Sequence, residues 1–381
     1  MKIALISHGR VNPDGNNGIA RTVYNLNRYL NEHGIETHIL CFDDRQREYG
    51  TFERDEHTRV HLFPREHWLG GSRMAKFISE QKFDLLHFHL PWMLDKCELL
   101  RRLKWNIPYV ITTHAAYAQD RLSFKKNISL RTFEGTFLHR AACVHALCHE
   151  EKCDLRSLGL DNPMTVIPNG LNDVELKRIA EGGATGSDPC DHDFINLVLV
   201  ARLRPDKNVF GIIRMLDFLP PEIAEKVRIN LVGDGVEPYL SQVKKLARKY
   251  PDKVIFHGPK YAAEKYAFIC KADIYLQPSF SEGISFSILD AMASGTPMIL
   301  SRQTNMTHYY NENFYLMTET FPEDIAEAVT VLAKNEALRK KLGENARRMV
   351  ETVFSWQNLI RRYADMYENV LTDLRRNHES R

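Results

Sequence analysis

Nowhere in the 381 residues does an apolar run approach the ~18 residues of a membrane-spanning helix. The opening stretch MKIALISHGR turns polar too soon for a secretory signal, so the expectation is a cytoplasmic protein. No G-x-G-x-x-G dinucleotide fingerprint is present, and no repeat of about 20 to 50 residues is apparent. Cysteine is sparse and odd in number, seven in all, which argues for free thiols in a reducing compartment rather than a disulfide framework. Cys143, His145, Cys148, His149 and Cys153 crowd one segment without a C-x2-C pair. Cys143 and His145 fall on one side of a strand while Cys148 opens the next helix, which speaks against zinc. Charge of one sign is also missing: the formal net charge is +2, which excludes a strong global attraction to nucleic acid.

What is present is the composition of a soluble globular protein, 44% hydrophobic and 26% charged, long enough for two domains with a core each. Short apolar runs alternate with amphipathic helical patterns from end to end, as in parallel sheets with helices on both faces. KIALIS, ETHILCF, FDLLHFHLP and IPYVITTH read as strands of a first domain. FINLVLV, VRINLVG, KVIFHG, ADIYLQPS and MIL read as strands of a second. Pro168, Asn169 and Gly170 give a turn between them. The Gly-, Ser- and Asp-rich stretch from Gly183 to Asp193 reads as a flexible loop or hinge; Asp191-His192-Asp193 within it is a linker feature rather than a metal site.

Candidate chemistry collects where strands end. Glu282 follows the strand ending at Gln277, in the turn before a helix that starts near Ser285 and stops at Gly295. That is the edge where open α/β sheets bind ligands. The amides of Gly283, Ile284 and Ser285 are unused donors at that helix start, which suits a phosphate. Asp290 lies inside the helix, about one and a half turns on at ~3.6 residues per turn. An acid beside an anion site suits a ligand with both phosphates and hydroxyls. Arg202 and Lys207 project from the loop after FINLVLV, two cations able to neutralise a diphosphate. In the first half, strand KIALIS leads through a glycine loop with Gly15 and Gly18 into a helix, another phosphate-friendly arrangement, and His114 stands at a strand's carboxyl end.

These residues resemble family 4 of the retaining glycosyltransferases, which have the GT-B fold. PSFSEGISFSILDAMASGTP matches the family's Glu-x7-Glu setting with Asp290 in place of the second acid. ARLRPDKN resembles its G-R-L-x-x-x-K segment with Ala201 for the usual glycine, and Gly233-Asp234-Gly235 its G-x-G turn. The SRQTNM stretch departs from the family's glycine pair. The resemblance implies two Rossmann-like domains facing across a cleft: 1–168 on the acceptor side, 169–354 binding the donor, and 355–381 a helix crossing back to the first. It implies transfer of a sugar from a nucleoside diphosphate sugar to a hydroxyl, with retention and without a metal or other cofactor. Arg202, Lys207 and the 283–285 amides would then hold the diphosphate and Glu282 the sugar hydroxyls. Asp290 would take the ribose, Lys260 and Gly233 line the nucleotide, His114 meet the sugar, and Gly18 lie against the distal phosphate. A sugar-phosphate synthase, an epimerase or a non-catalytic nucleotide-sugar binder are the alternatives.

Basic residues interleaved with aromatics, Arg101, Arg102, Lys104, Arg121, Lys125, Lys126, Arg131 and Arg140 among Trp105, Phe124, Phe133 and Phe137, make a surface suited to anionic lipid at the inner face of a membrane. A glycan or lipid-linked acceptor is expected on that account.

Overall fold

A computed structural model describes residues 1–8, 11, 18–43, 49–64, 71–89, 94–118, 129–130, 132–185 and 188–379. The chain forms two compact units, Met1–Pro168 with Trp356–Arg381, and Asn169–Ser355.

The first unit is built on β1 (Lys2–His8), β2 (Glu36–Asp43), β3 (Gly50–Asp55), β4 (Thr58–Pro64), β5 (Leu85–His89), β6 (Tyr109–Thr112), β7 (Cys143–Ala146) and β8 (Met164–Val166). The sheet runs β3-β4-β2-β1-β5-β6-β7-β8, parallel except where β3 pairs with β4. Alternation along a strand sends neighbouring side chains to opposite faces. Ala4 and Ile6 of β1 therefore enter one core with Met74, Ile78, Leu99 and Phe137. Ile3 and Leu5 enter the other with Val23, Leu26 and Leu30 of the Gly18–Glu32 helix and with Trp356, Leu359, Tyr363 and Tyr367. The apolar face of the terminal Trp356–Glu379 helix is thus part of this unit's core, with Trp356 stacked between Tyr29 and Tyr363.

The second unit carries β9 (Ile195–Val200), β10 (Val227–Val232), β11 (Val254–Gly258), β12 (Ile274–Gln277), β13 (Met298–Ser301) and β14 (Leu316–Thr318). They pair in parallel in the order β11-β10-β9-β12-β13-β14, the doubly wound order in which the direction of winding reverses between the first and fourth strands. Here the reversal lies between β9 and β12.

One expectation fails. The stretch from Gly183 to Asp193 is no hinge between units, because it lies wholly inside the second. Its first part completes the Asp173–Thr185 helix, which packs on the Ala262–Lys271 helix. Glycine serves close approach there: a Cβ on Gly182 would stand 2.7 Å from Tyr266 Cβ.

Candidate active site

The loops that leave the carboxyl ends of β9 and β12 meet at the reversal of strand order, so residues 75 positions apart come into contact. Lys207 ends a short 3-10 turn, Pro205–Lys207. Its Nζ lies 2.5 Å from Glu282 Oε1 and 3.3 Å from Asp206 Oδ2. Glu282 Oε1 also accepts from Gln277 Nε2 at 2.5 Å and from Ser279 Oγ at 3.0 Å. Oε2 takes no internal hydrogen bond among the described residues, so one oxygen alone anchors the carboxylate. Both side chains are largely buried, 12% and 8% exposed, which strengthens their attraction beyond that of a surface pair.

Immediately after Glu282 the nine-residue Phe286–Ser294 helix begins, with no side-chain cap at Ser285. The amides of Gly283, Ile284 and Ser285 find no acceptor among the described residues, while Ile284 is fixed from behind by Asn169 Nδ2 on its carbonyl, 2.9 Å. Uncapped amides at the positive end of a helix dipole, with a lysine close by, are an arrangement that suits an anion.

Several residues that sequence reasoning passed over hold this geometry. Gln277 relays between Glu282, the Tyr275 hydroxyl at 2.6 Å and Ser287 at 3.2 Å. Asn208, in left-handed conformation, caps the Val209–Arg214 helix through Gly211 N–H. Its Nδ2 donates to the carbonyls of Pro278 at 3.1 Å and Thr320 at 2.8 Å, tying three loops together. The SRQTNM stretch also buttresses the acidic turn. Ser301 Oγ donates to Ser279 O at 2.6 Å, Asn305 Nδ2 to Glu282 O at 2.6 Å, and Glu282 N–H to Gln303 O at 3.1 Å. The visible signal for these was their position beside the acid turn, in residue types that satisfy backbone groups.

The other expected donor-side residues fall into place differently. Arg202 is exposed on the same loop as Lys207 and makes no internal ion pair among the described residues; Arg204 takes Asp206 instead, 2.8 Å. Gly233, at φ 145°, is required by packing: a Cβ would stand 1.8 Å from Ala201 O, where the loops after β9 and β10 are laced by Leu203 N–H on Asp234 O, 2.7 Å. Lys260 follows β11 and pairs with Glu264 at 3.2 Å. Asp290 is buried, and its Oδ2 accepts from Lys265 Nζ of the neighbouring Ala262–Lys271 helix, 2.7 Å. Any ribose contact through Asp290 shares that carboxylate with Lys265. Asp191 pairs with Arg228 and His192 with Asp188. Among the described residues no three His, Cys, Asp or Glu side chains converge as metal ligands.

In the first unit, Gly18 opens the helix after β1, and the glycine loop itself, with Gly15, lies outside the described residues. His114 follows β6 with φ 50° and Ala115 with φ 55°, left-handed positions that side chains other than glycine occupy only under constraint. The constraint is Glu151, buried near the start of the His149–Ser157 helix. Its carboxylate accepts from the Thr113 hydroxyl, from Ala115 N–H at 2.5 Å and from Leu147 N–H at 2.6 Å, so both neighbours of His114 are clamped. His114 Nε2 meets His89 Nδ1 at 3.1 Å. Burial, with His145 and Lys96 nearby, lowers the His114 pKa to about 3, so the ring is neutral at physiological pH. Behind it, His87 and His145 share Thr112. His145 Nε2 must donate to the Ile167 carbonyl at 2.8 Å. Thr112 then donates to His145, His87 Nε2 to Thr112, and the Tyr367 hydroxyl to His87 Nδ1 at 2.7 Å. This proton order is fixed from one carbonyl and binds the terminal helix to the sheet.

One residue of the expected basic, aromatic surface leaves it, and its described arginines stay exposed but acquire partners. Phe137 is core, stacked on Tyr109, because its helix turns that position onto β5 and β6. Arg101 and Arg102 are paired with Glu98, and Arg140 lies 4.6 Å over the Trp105 ring. Residues 121–128 and 131 and the Phe133 side chain lie outside the described set. No helix among the described residues is long and apolar enough to cross a membrane.

Comparison with known proteins agrees with this architecture. The model of Glycosyltransferase Family 4 matches residues 16–175, and that of Glycosyl transferases group 1 matches residues 189–349. An uncharacterized glycosyltransferase of Methanocaldococcus jannaschii is 32% identical over 215 residues, 55% of this chain and 54% of its own length. The O-antigen chain mannosyltransferase C of Escherichia coli is 23% identical over 372 residues, 94% of this chain and 96% of its own. Anabaena HepE, solved in complex with UDP, superposes with a TM-score of 0.76 at 16% identity, covering 97% of this chain and 100% of that one. With two family models spanning both units and a doubly wound sheet in each, the chain belongs to the glycosyltransferases of the family 4 type, with the GT-B fold.

Proposed function

We propose that this glycosyltransferase moves a hexose, with retention at the anomeric carbon, from a nucleoside diphosphate sugar to a hydroxyl of a glycan or lipid-linked acceptor in cell-surface polysaccharide or lipopolysaccharide synthesis, without a metal. The observation that carries the reading is the contact of Lys207 Nζ with Glu282 Oε1 at 2.5 Å, beside the uncapped amides of Gly283 to Ser285. Phosphate charge goes to Lys207, Arg202 and those amides, and sugar hydroxyls go to Glu282 Oε2. The UDP in HepE supports a nucleoside diphosphate as ligand, and the O-antigen mannosyltransferase supports a polysaccharide setting. Arg101, Arg102, Lys104 and Arg140 stay exposed, with the one acid Glu98 shared by the first two, and this remaining positive charge supports work at an anionic membrane face.

A carboxylate with three donors on one oxygen is held in place rather than free to swing onto an anomeric carbon. Glu282 therefore grips hydroxyls and does not act as the nucleophile of a double displacement. The bond from the anomeric carbon to the phosphate oxygen breaks, the acceptor oxygen bonds to the same face, and its proton passes to the departing phosphate. Lys207 and the helix amides stabilise the charge that develops there.

A thermal-shift screen of nucleotide sugars identifies the donor, since a ligand that binds only the folded state raises the midpoint. With that donor, Glu282→Ala lowers the transfer rate by roughly 100-fold, and NMR of the product gives the donor's own anomeric configuration. An unchanged rate in Glu282→Ala or an inverted product contradicts the proposal.

A further inference from the structure

His89 is fully buried at the end of β5 and its Nε2 has no hydrogen-bond partner among the described residues. Its Nδ1 faces His114 Nε2 at 3.1 Å, and Lys96 Nζ holds its carbonyl at 2.7 Å. Two neutral imidazoles share one contact, so one nitrogen carries the proton and the other a lone pair. The orphaned Nε2 decides which. A buried N–H without an acceptor is the rarer and costlier defect, compared with a bare acceptor lone pair. His89 therefore keeps its proton on Nδ1 and donates it to His114 Nε2, which places the His114 proton on Nδ1. That nitrogen has no partner among the described residues, on a half-buried ring whose backbone is clamped by Glu151 on both sides.

We propose that His89 is a positioning residue that fixes His114 as the Nδ1–H tautomer, so that His114 serves as a neutral hydrogen-bond donor to an oxygen of the transferred sugar and not as a base. The proposal rests on the reading that His114 meets the transferred group. Burial of the pair keeps both rings uncharged, as the depressed His114 value implies.

Long-range 15N–1H spectra of the full chain labelled at histidine test the tautomer directly, with His114 assigned by its loss in His114→Asn. The expected pattern at neutral pH is a protonated Nδ1 and a bare Nε2. In His89→Leu that pattern gives way to a mixture of tautomers, and His89→Asn, which keeps a donor amide at the same place, restores it. A protonated Nε2 or an imidazolium in the unsubstituted protein overturns the assignment. Activity gives a second reading, because the Asn amide nitrogen replaces Nδ1 and the Gln amide nitrogen replaces Nε2. His114→Asn retains kcat/KM roughly tenfold above His114→Gln. Unfolding midpoints measured in parallel remove any difference due to the left-handed backbone, which suits Asn better. Gln equal to or better than Asn refutes the donor role. If neither replacement slows transfer, the donor role and the placement of His114 at the sugar both fail, while the spectra still decide the tautomer independently.

Discussion

Asp290 and Lys265 show how a buried acid is met from a neighbouring helix. The acid is buried in the Phe286–Ser294 helix and its charge is met by a lysine from the adjacent helix at 2.7 Å. Removing the lysine alone takes away the opposite charge that a buried carboxylate faces at 2.7 Å, whereas replacing both partners by apolar side chains removes the buried charge as well. Lys265→Met is therefore expected to destabilise the chain by about 2 kcal/mol, and Lys265→Met with Asp290→Leu to recover most of it. Denaturant midpoints of the single and double variants check this, and additive losses count against the pair. At this scale the sequence made Glu282 and Lys207 visible, because an acid before a helix and a lysine after a strand end carry chemistry in their types. Gln277, Asn208, Glu151 and His89 stayed hidden. Their roles depend on which backbone groups and rings lie opposite them, and those neighbours are up to 112 residues away for Asn208.

Loops and helices follow from pairing order more than from their own composition. β9 and β12 are neighbours in the sheet although β10 and β11 intervene in the chain, and that permutation brings Lys207 to Glu282. Periodicity gave the strands and the helix stop at Gly295, where φ is 75°, but glycine content misled at Gly182 and Gly183, which belong to a packed helix. Composition reports conformational freedom in the unfolded chain; packing decides whether it is used. Gly233 is the opposite case, a glycine demanded both by φ and by a carbonyl where its Cβ would be. Gly233→Ala forces the loops after β9 and β10 apart, with an expected loss of roughly 3 kcal/mol and of nucleotide affinity with it. Paired unfolding and binding measurements test this, and an alanine variant that binds nucleotide normally contradicts the lacing.

For the molecule as a whole, the histidines of the first unit set an acid limit. Burial lowers His61 and His145 to about 4 and His114 to about 3, and holds His87 and His89 well below the ordinary 6.5. Between those values and 6.5 the unfolded chain binds protons that the folded chain refuses, so stability falls as pH falls. Full stability is expected above about pH 6.5 and a steep loss from there toward pH 4, visible as unfolding midpoints recorded across that window; a flat profile contradicts the neutral buried network. Two doubly wound sheets were legible from alternating strands and helices, and the terminal helix from its apolar face. Transfer as proposed requires the loops after β9 and β12 to hold a nucleoside diphosphate. Calorimetric titration of a panel of nucleoside diphosphates into the unsubstituted chain and into Lys207→Ala tests it most directly. At least one is expected to bind the former and to bind the latter roughly tenfold or more weakly; equal affinity for both, or no binding to either, contradicts it.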